Sequence, residues 1–126
     1  VFLRFPAPAP VVLQLGAFGC SICRDQWPLL DSLQRKWGTA SVRIVVLTMD
    51  ERRAGARLER WAESDSSMFE VWRDPDRAIA NMVGVEGLPQ IVVIGRDGVV
   101  IRRQLGLSKG SIPRWVHAVD SLLRTP

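Results

Sequence analysis

Apolar residues cluster along the chain in two periods, and the change of period marks the elements. Val11-Val12-Leu13-Gln14-Leu15 is a continuous apolar run broken by a single amide, and Val42 to Leu47 is a second, β-branched run. Both are predicted to be strands covered on two faces. Between them, Trp27, Leu29, Leu30, Leu33 and Trp37 recur at largely helical spacing over Asp25 to Trp37. A second helix is predicted over Glu51 to Ser64, with Ala54, Leu58, Trp61 and Ala62 on one face, and a shorter one over Asp76 to Val83 behind Asp74-Pro75. Gln90 to Ile94 and Val99 to Leu105 flank Gly95-Arg96-Asp97-Gly98, whose Asp-Gly pair signals a hairpin. A terminal helix from about Ser111 sets Ile112, Trp115, Val116, Val119, Leu122 and Leu123 along one face, with Ser111 as a cap and Pro113 in the first turn. The predicted order is β-α-β-α-(α)-β-β-α, an α/β domain over residues 11–126. Residues 1–10, with Pro6, Pro8 and Pro10, read as an extended lead-in or the end of a linker.

Composition refines this little. The chain has 126 residues, 47% of them apolar, enough for one domain with a real core. The net charge of +4 comes almost wholly from arginines scattered beside acids, so no concentrated stripe for nucleic acid is present. No run reaches the ~18–20 apolar residues of a membrane span. A chain that opens on Val1 rather than Met suggests that a leader has been removed, and an anchor ahead of it is left open. The three methionines, Met49, Met68 and Met82, are too dispersed for a soft-metal site and are read as core gap fillers.

The candidate chemistry lies in Cys20-Ser21-Ile22-Cys23, the only cysteines. They stand where the first apolar run gives way to the helical pattern, so the first sulfur falls at or just before a helix N-terminus. Unpaired backbone N–H groups and the positive end of the helix dipole favour a thiolate there, below the free thiol value of about 8.5. A bridge between cysteines one turn apart closes too small a loop to restrain the unfolded chain, which points to redox use rather than scaffolding. By itself Cys-X-X-Cys also suits a metal, but His117 is the only histidine and reads as a structural or surface residue. Neither a metal nor another cofactor is called for.

The surrounding order sharpens the reading: strand, Cys20-Ser21-Ile22-Cys23, a helix with Pro28, then Gly87-Leu88-Pro89 just before a strand and a hairpin. Across nearly the whole chain this resembles the thioredoxin superfamily. It is most similar to the TlpA-like thiol:disulfide reductases of the bacterial envelope, which include cytochrome c maturation reductases. The likeness rests on Val12–Pro28, Val45–Asp50, Val71–Asp76 and Val83–Gly98. The 66 positions from Cys23 to Pro89 leave room for that branch's helical insertion and not for the larger one of DsbA-like oxidases. The resemblance implies a thioredoxin-like fold, a central mixed sheet with helices on both faces. It implies that Pro89 is cis and packs against the cysteines, and that Leu88 offers backbone groups to a bound peptide. Cys20 would attack a partner disulfide and Cys23 would resolve the mixed disulfide, with Gly19, Ser21, Ile22 and Gln26 as active-site neighbours.

Three departures from the family pattern stand out. Gly19 replaces the usual Trp before the first cysteine. Gln14 stands where thioredoxin carries a buried acid, and Gln26 where many TlpA-like reductases carry Glu. Neither amide can take up the resolving proton; Asp25, Glu86 and water remain as candidates. Peroxiredoxins share the fold but place Thr three residues before the reactive cysteine, where this chain has Ala17. Trp27 is read either as lining the reactive edge or as core. The expectation is therefore a periplasmic or otherwise extracytoplasmic oxidoreductase, a monomer that reduces disulfide-containing proteins and is recharged by an upstream thiol donor. The alternative is a metal-handling or interaction module with little redox turnover.

Overall fold

The computed structural model describes residues 9–17, 19–38, 41–48, 56–58, 60, 63, 68–74, 76–84, 87–105, 113, 116–117 and 119–121. Five strands form one sheet: β1 (Val11–Gly16), β2 (Arg43–Thr48), β3 (Glu70–Arg73), β4 (Gln90–Ile94) and β5 (Val100–Leu105). Their spatial order is β3-β2-β1-β4-β5. The first three run parallel, while β4 and β5 are antiparallel to their neighbours. Strand β1 therefore lies at the centre, which is why its run is apolar on both faces. All six of its residues are buried.

Two helices have their full extent described, α1 (Ser21–Trp37) and α2 (Ala78–Val83). Further helical residues occur at 56–58, 60 and 63 and at 113, 116–117 and 119–121. On one face of the sheet, Trp27, Leu30 and Leu33 of α1, with Leu58 and Val119, pack on Val12, Ile44, Val46, Ile91 and Val93. On the other, Ala80 and Val83 of α2 meet Leu13, Leu15, Val45, Leu47 and Val92. The expected mixed sheet with helices on both faces is thus what the chain forms.

Strand β3 was not anticipated. It has only four residues, none fully buried, and so lacks the apolar run that marks the inner strands. The methionine reading is also corrected, since Met68 and Met82 are exposed at 41% and 48%. Met82 stands on the outer side of a six-residue helix whose inner side is taken by Ala80 and Val83. Met49 lies outside the described residues, as do 1–8 of the lead-in, Trp61, Ala62 and Ser111. The Asp-Gly hairpin forms as expected, with Gly98 at φ 83° and the Gly95 N–H bonded to the Val99 carbonyl at 2.9 Å.

Candidate functional site

Ala17, Gly19 and Cys20 lie between the C-terminal end of β1 and the start of α1. The turn is closed by the Cys20 N–H, which donates to the Ala17 carbonyl at 3.0 Å. Cys20 is the N-cap of α1, and its Sγ accepts the Cys23 backbone N–H at 3.2 Å. This sulfur occupies the place that a Ser or Asp oxygen holds in a common helix cap, aimed at the unpaired amides of the first turn. No acid stands in that turn to offset the helix dipole. Cys20 and Cys23 are joined in a disulfide. Their exposures differ: Cys20 is half-buried, whereas Cys23 is 0% exposed. An incoming group therefore reaches Cys20 first.

The rest of the predicted set divides by position. Ser21 and Ile22 are exposed on the first turn, Ile22 at 60%. Gly19 is exposed, and a side chain built there would touch nothing within 4 Å, so the rim ahead of Cys20 is open. The antiparallel register pairs Leu15 with Gln90. Extended by one step, it sets Pro89 alongside Gly16, from which the cysteine turn departs. The Leu88–Pro89 peptide bond is cis, Pro89 is buried, and Leu88 is 40% exposed. The structure thus brings the cysteine turn and residues 87–89 to one end of the sheet. Asp25 is exposed on α1, and Glu86 lies outside the described residues.

Beneath the pair, β1 and α1 meet through a polar network that no spacing argument foresaw. Gln14 is completely buried, Gln26 nearly so, and Trp27 with them. Gln14 Nε2 donates to Gln26 Oε1 at 2.9 Å and to the Cys23 carbonyl at 3.3 Å. Trp27 Nε1 donates to Gln14 Oε1 at 2.9 Å. The two amides that replace family acids therefore bond to each other, and Gln26 faces inward rather than toward the opening. Trp27 is core, its ring 6.5 Å from that of Phe69. Gly16 was also missed. A Cβ there would lie 3.2 Å from Cys23 Sγ, so a side chain at this position would crowd the sulfur. One signal was available: Gln14 is the lone polar residue in a buried strand, and such a group must find partners. His117 is exposed, and no His, Cys, Asp and Glu grouping among the described residues could hold a metal ion.

Residues 5–103 match the model of the AhpC/TSA family. No curated protein matches the chain in sequence. Among solved structures, a putative thiol:disulfide interchange protein DsbE from Chlorobium tepidum superposes with TM-score 0.80 at 21% identity, over 93% of this chain and 82% of its own. A thiol-disulfide isomerase from Corynebacterium glutamicum gives TM-score 0.77 at 18% identity, covering 95% and 84%. The exposed lipoprotein thioredoxin Etrx1 of Streptococcus pneumoniae gives 0.74 at 20%, covering 91% and 86%. These likenesses agree with the thioredoxin-like architecture described above.

Proposed function

Since the chain belongs to the AhpC/TSA family, we propose that it is a thiol:disulfide oxidoreductase of the TlpA-like branch, working as a reductase of protein disulfides. The observation that carries this is the asymmetry of the Cys20–Cys23 disulfide: a partly exposed sulfur capping a helix, bonded to one that is fully buried. In the dithiol form the Cys23 N–H and the head of α1 stabilise negative charge on Cys20 Sγ. That thiolate attacks a partner disulfide, forming a Cys20–partner bond and expelling the partner's other sulfur as thiolate. Cys23, once deprotonated, attacks Cys20 Sγ, closes the Cys20–Cys23 bond and releases the second partner sulfur. Two electrons pass to the partner, and an upstream dithiol returns them by the reverse exchange.

Leu88 and Pro89 are proposed to receive the partner backbone beside Cys20, with Ile22 and the open Gly19 rim forming the remaining approach. The Ala17 methyl favours disulfide exchange over peroxide chemistry, because it offers no hydroxyl at the place where peroxidases of this fold carry Thr. An extracytoplasmic setting is supported by the likeness to the DsbE protein and to the exposed lipoprotein thioredoxin. Among the described residues no helix is long and apolar enough to cross a membrane.

The test is trapping. Reduced Cys23→Ser protein, mixed with a small disulfide-bonded protein, should accumulate a covalent complex through Cys20 that mass spectrometry resolves and dithiothreitol releases. The Cys20→Ser variant should accumulate none. Equal trapping by both variants, or by neither, contradicts the assignment of roles.

A further inference from the structure

The atoms on the buried side of the cysteine pair admit one assignment. Trp27 Nε1 can only donate, so the Gln14 atom 2.9 Å from it must be Oε1. Gln14 Nε2 then faces two acceptors, the Cys23 carbonyl and Gln26 Oε1, and both of its hydrogens are engaged. What this leaves is the second lone pair of Gln14 Oε1.

Gly16 shows where that lone pair can be used. Two positions along β1 from Gln14, it lies on the same face of the strand. A Cβ built on Gly16 would be 3.3 Å from Gln14 Oε1 and 3.2 Å from Cys23 Sγ. The oxygen and the sulfur therefore border one notch in front of Gly16, which a side chain there would crowd. Both residues are 0% exposed, so bulk water does not serve either. In the disulfide Cys23 Sγ bears no hydrogen. Reduction by two electrons and two protons places one of those protons on this sulfur, creating a buried donor that needs an acceptor.

We propose that Gln14 is a positioning residue for the exchange reaction: in the dithiol form its Oε1 accepts the Cys23 S–H across the Gly16 notch. The proposal rests on the reading of Cys20 and Cys23 as an exchange couple. The bond holds Cys23 as the neutral thiol behind a Cys20 thiolate, which keeps the attacking and resolving roles apart. It exists only in the reduced protein, so it favours the dithiol over the disulfide. One ordinary hydrogen bond corresponds to roughly a three- to tenfold effect on that equilibrium.

The experiment is the dithiol/disulfide equilibrium against glutathione buffers for the native chain, Gln14→Leu and Gln34→Leu. Gln34 is another buried glutamine, but it bonds to β2 at the far end of α1, so its loss reports fold damage alone. Gln14→Leu should shift the equilibrium roughly three- to tenfold toward the disulfide, while Gln34→Leu leaves it within about twofold of native. An unmoved Gln14→Leu equilibrium, or a shift toward the dithiol, overturns the proposal while native cycling leaves the exchange function standing. A second readout needs neither Gln14 substitution nor turnover. In reduced Cys20→Ser protein, the Raman S–H stretch of the single Cys23 thiol should lie at the low frequency of a hydrogen-bonded donor. A stretch at the position of an unbonded thiol overturns the proposal even if Gln14→Leu does not fold.

Discussion

Replacing Gln34 by Leu should weaken the fold more than any other single polar change on α1. Gln34 is 1% exposed, its Nε2 donates to the Val42 carbonyl at 3.0 Å, and its Oε1 accepts the Ile44 N–H at 2.8 Å. The sheet explains why a side chain is needed there. The Arg43 N–H bonds to the Pro10 carbonyl on the β1 side, so the flanking Val42 C=O and Ile44 N–H face the opposite edge. Strand β3 would cover that edge, but it begins only at Glu70, opposite Val45. The Gln34 amide continues the ladder where β3 is missing, and it pins the helix carrying the cysteines to the sheet. Leucine fills similar volume but leaves two buried backbone groups unpaired, each costing about 1–3 kcal/mol. Allowing for the apolar burial it gains, the net loss should be about 2–4 kcal/mol, a large share of the roughly 5–15 kcal/mol typical of a domain. Equilibrium urea unfolding with the disulfide intact measures this as a lower midpoint at unchanged slope. A loss below about 0.5 kcal/mol would show that both backbone groups find other partners, and would refute the reasoning.

Three further outcomes are expected. Arg77, at φ 60°, sits in the left-handed region ahead of α2; Arg77→Gly should raise stability by about 0.5–1 kcal/mol and Arg77→Val should lower it, as thermal melts would show. The Asp74 carboxylate accepts the Ile79 N–H at 3.1 Å and the Ala80 N–H at 2.8 Å, so Asp74→Ala should cost about 1–2 kcal/mol in urea unfolding. Hydrogen bonds from Arg43 hold the Glu70 carboxyl below its ordinary range, against an opposing effect of burial. A depressed native value contributes stability that is present above the unfolded value of about 4.3 and is lost as pH falls through the native one. Because Glu70 is 40% exposed and screened, unfolding experiments from pH ~5 to ~2 should show less than about 1 kcal/mol from this pair, and Glu70→Gln should remove it.

The readable and unreadable parts of the chain differ for physical reasons. Strands β1, β2 and β4 are inner strands, and burial on both faces imposes an apolar run on each. Helix α1 must bury one face, so Trp27, Leu30 and Leu33 recur at its period. The helix start was legible because the cysteines lie at the junction of the two patterns. Strand β3 carries no such signature, as an edge strand of four half-buried residues. Gln14 and Gln26 were each recognisable as replacements for family acids. Their bond to each other was not, because it exists only once β1 and α1 are packed face to face. The role of Gly16 was hidden likewise, since what a side chain there would crowd is a sulfur on another element. Arg77 offers no local hint of a left-handed backbone, which the turn between β3 and α2 imposes.

The central claim is that Cys20 and Cys23 form a working redox couple in the folded protein. Its most direct test is an equilibrium titration of the native chain against graded glutathione buffers, with the thiols counted by alkylation and mass spectrometry. The account predicts one reversible two-electron transition between dithiol and disulfide, abolished by Ser at either cysteine, with the protein folded throughout. A pair that fails to close, or that reacts only once the chain is unfolded, would contradict it.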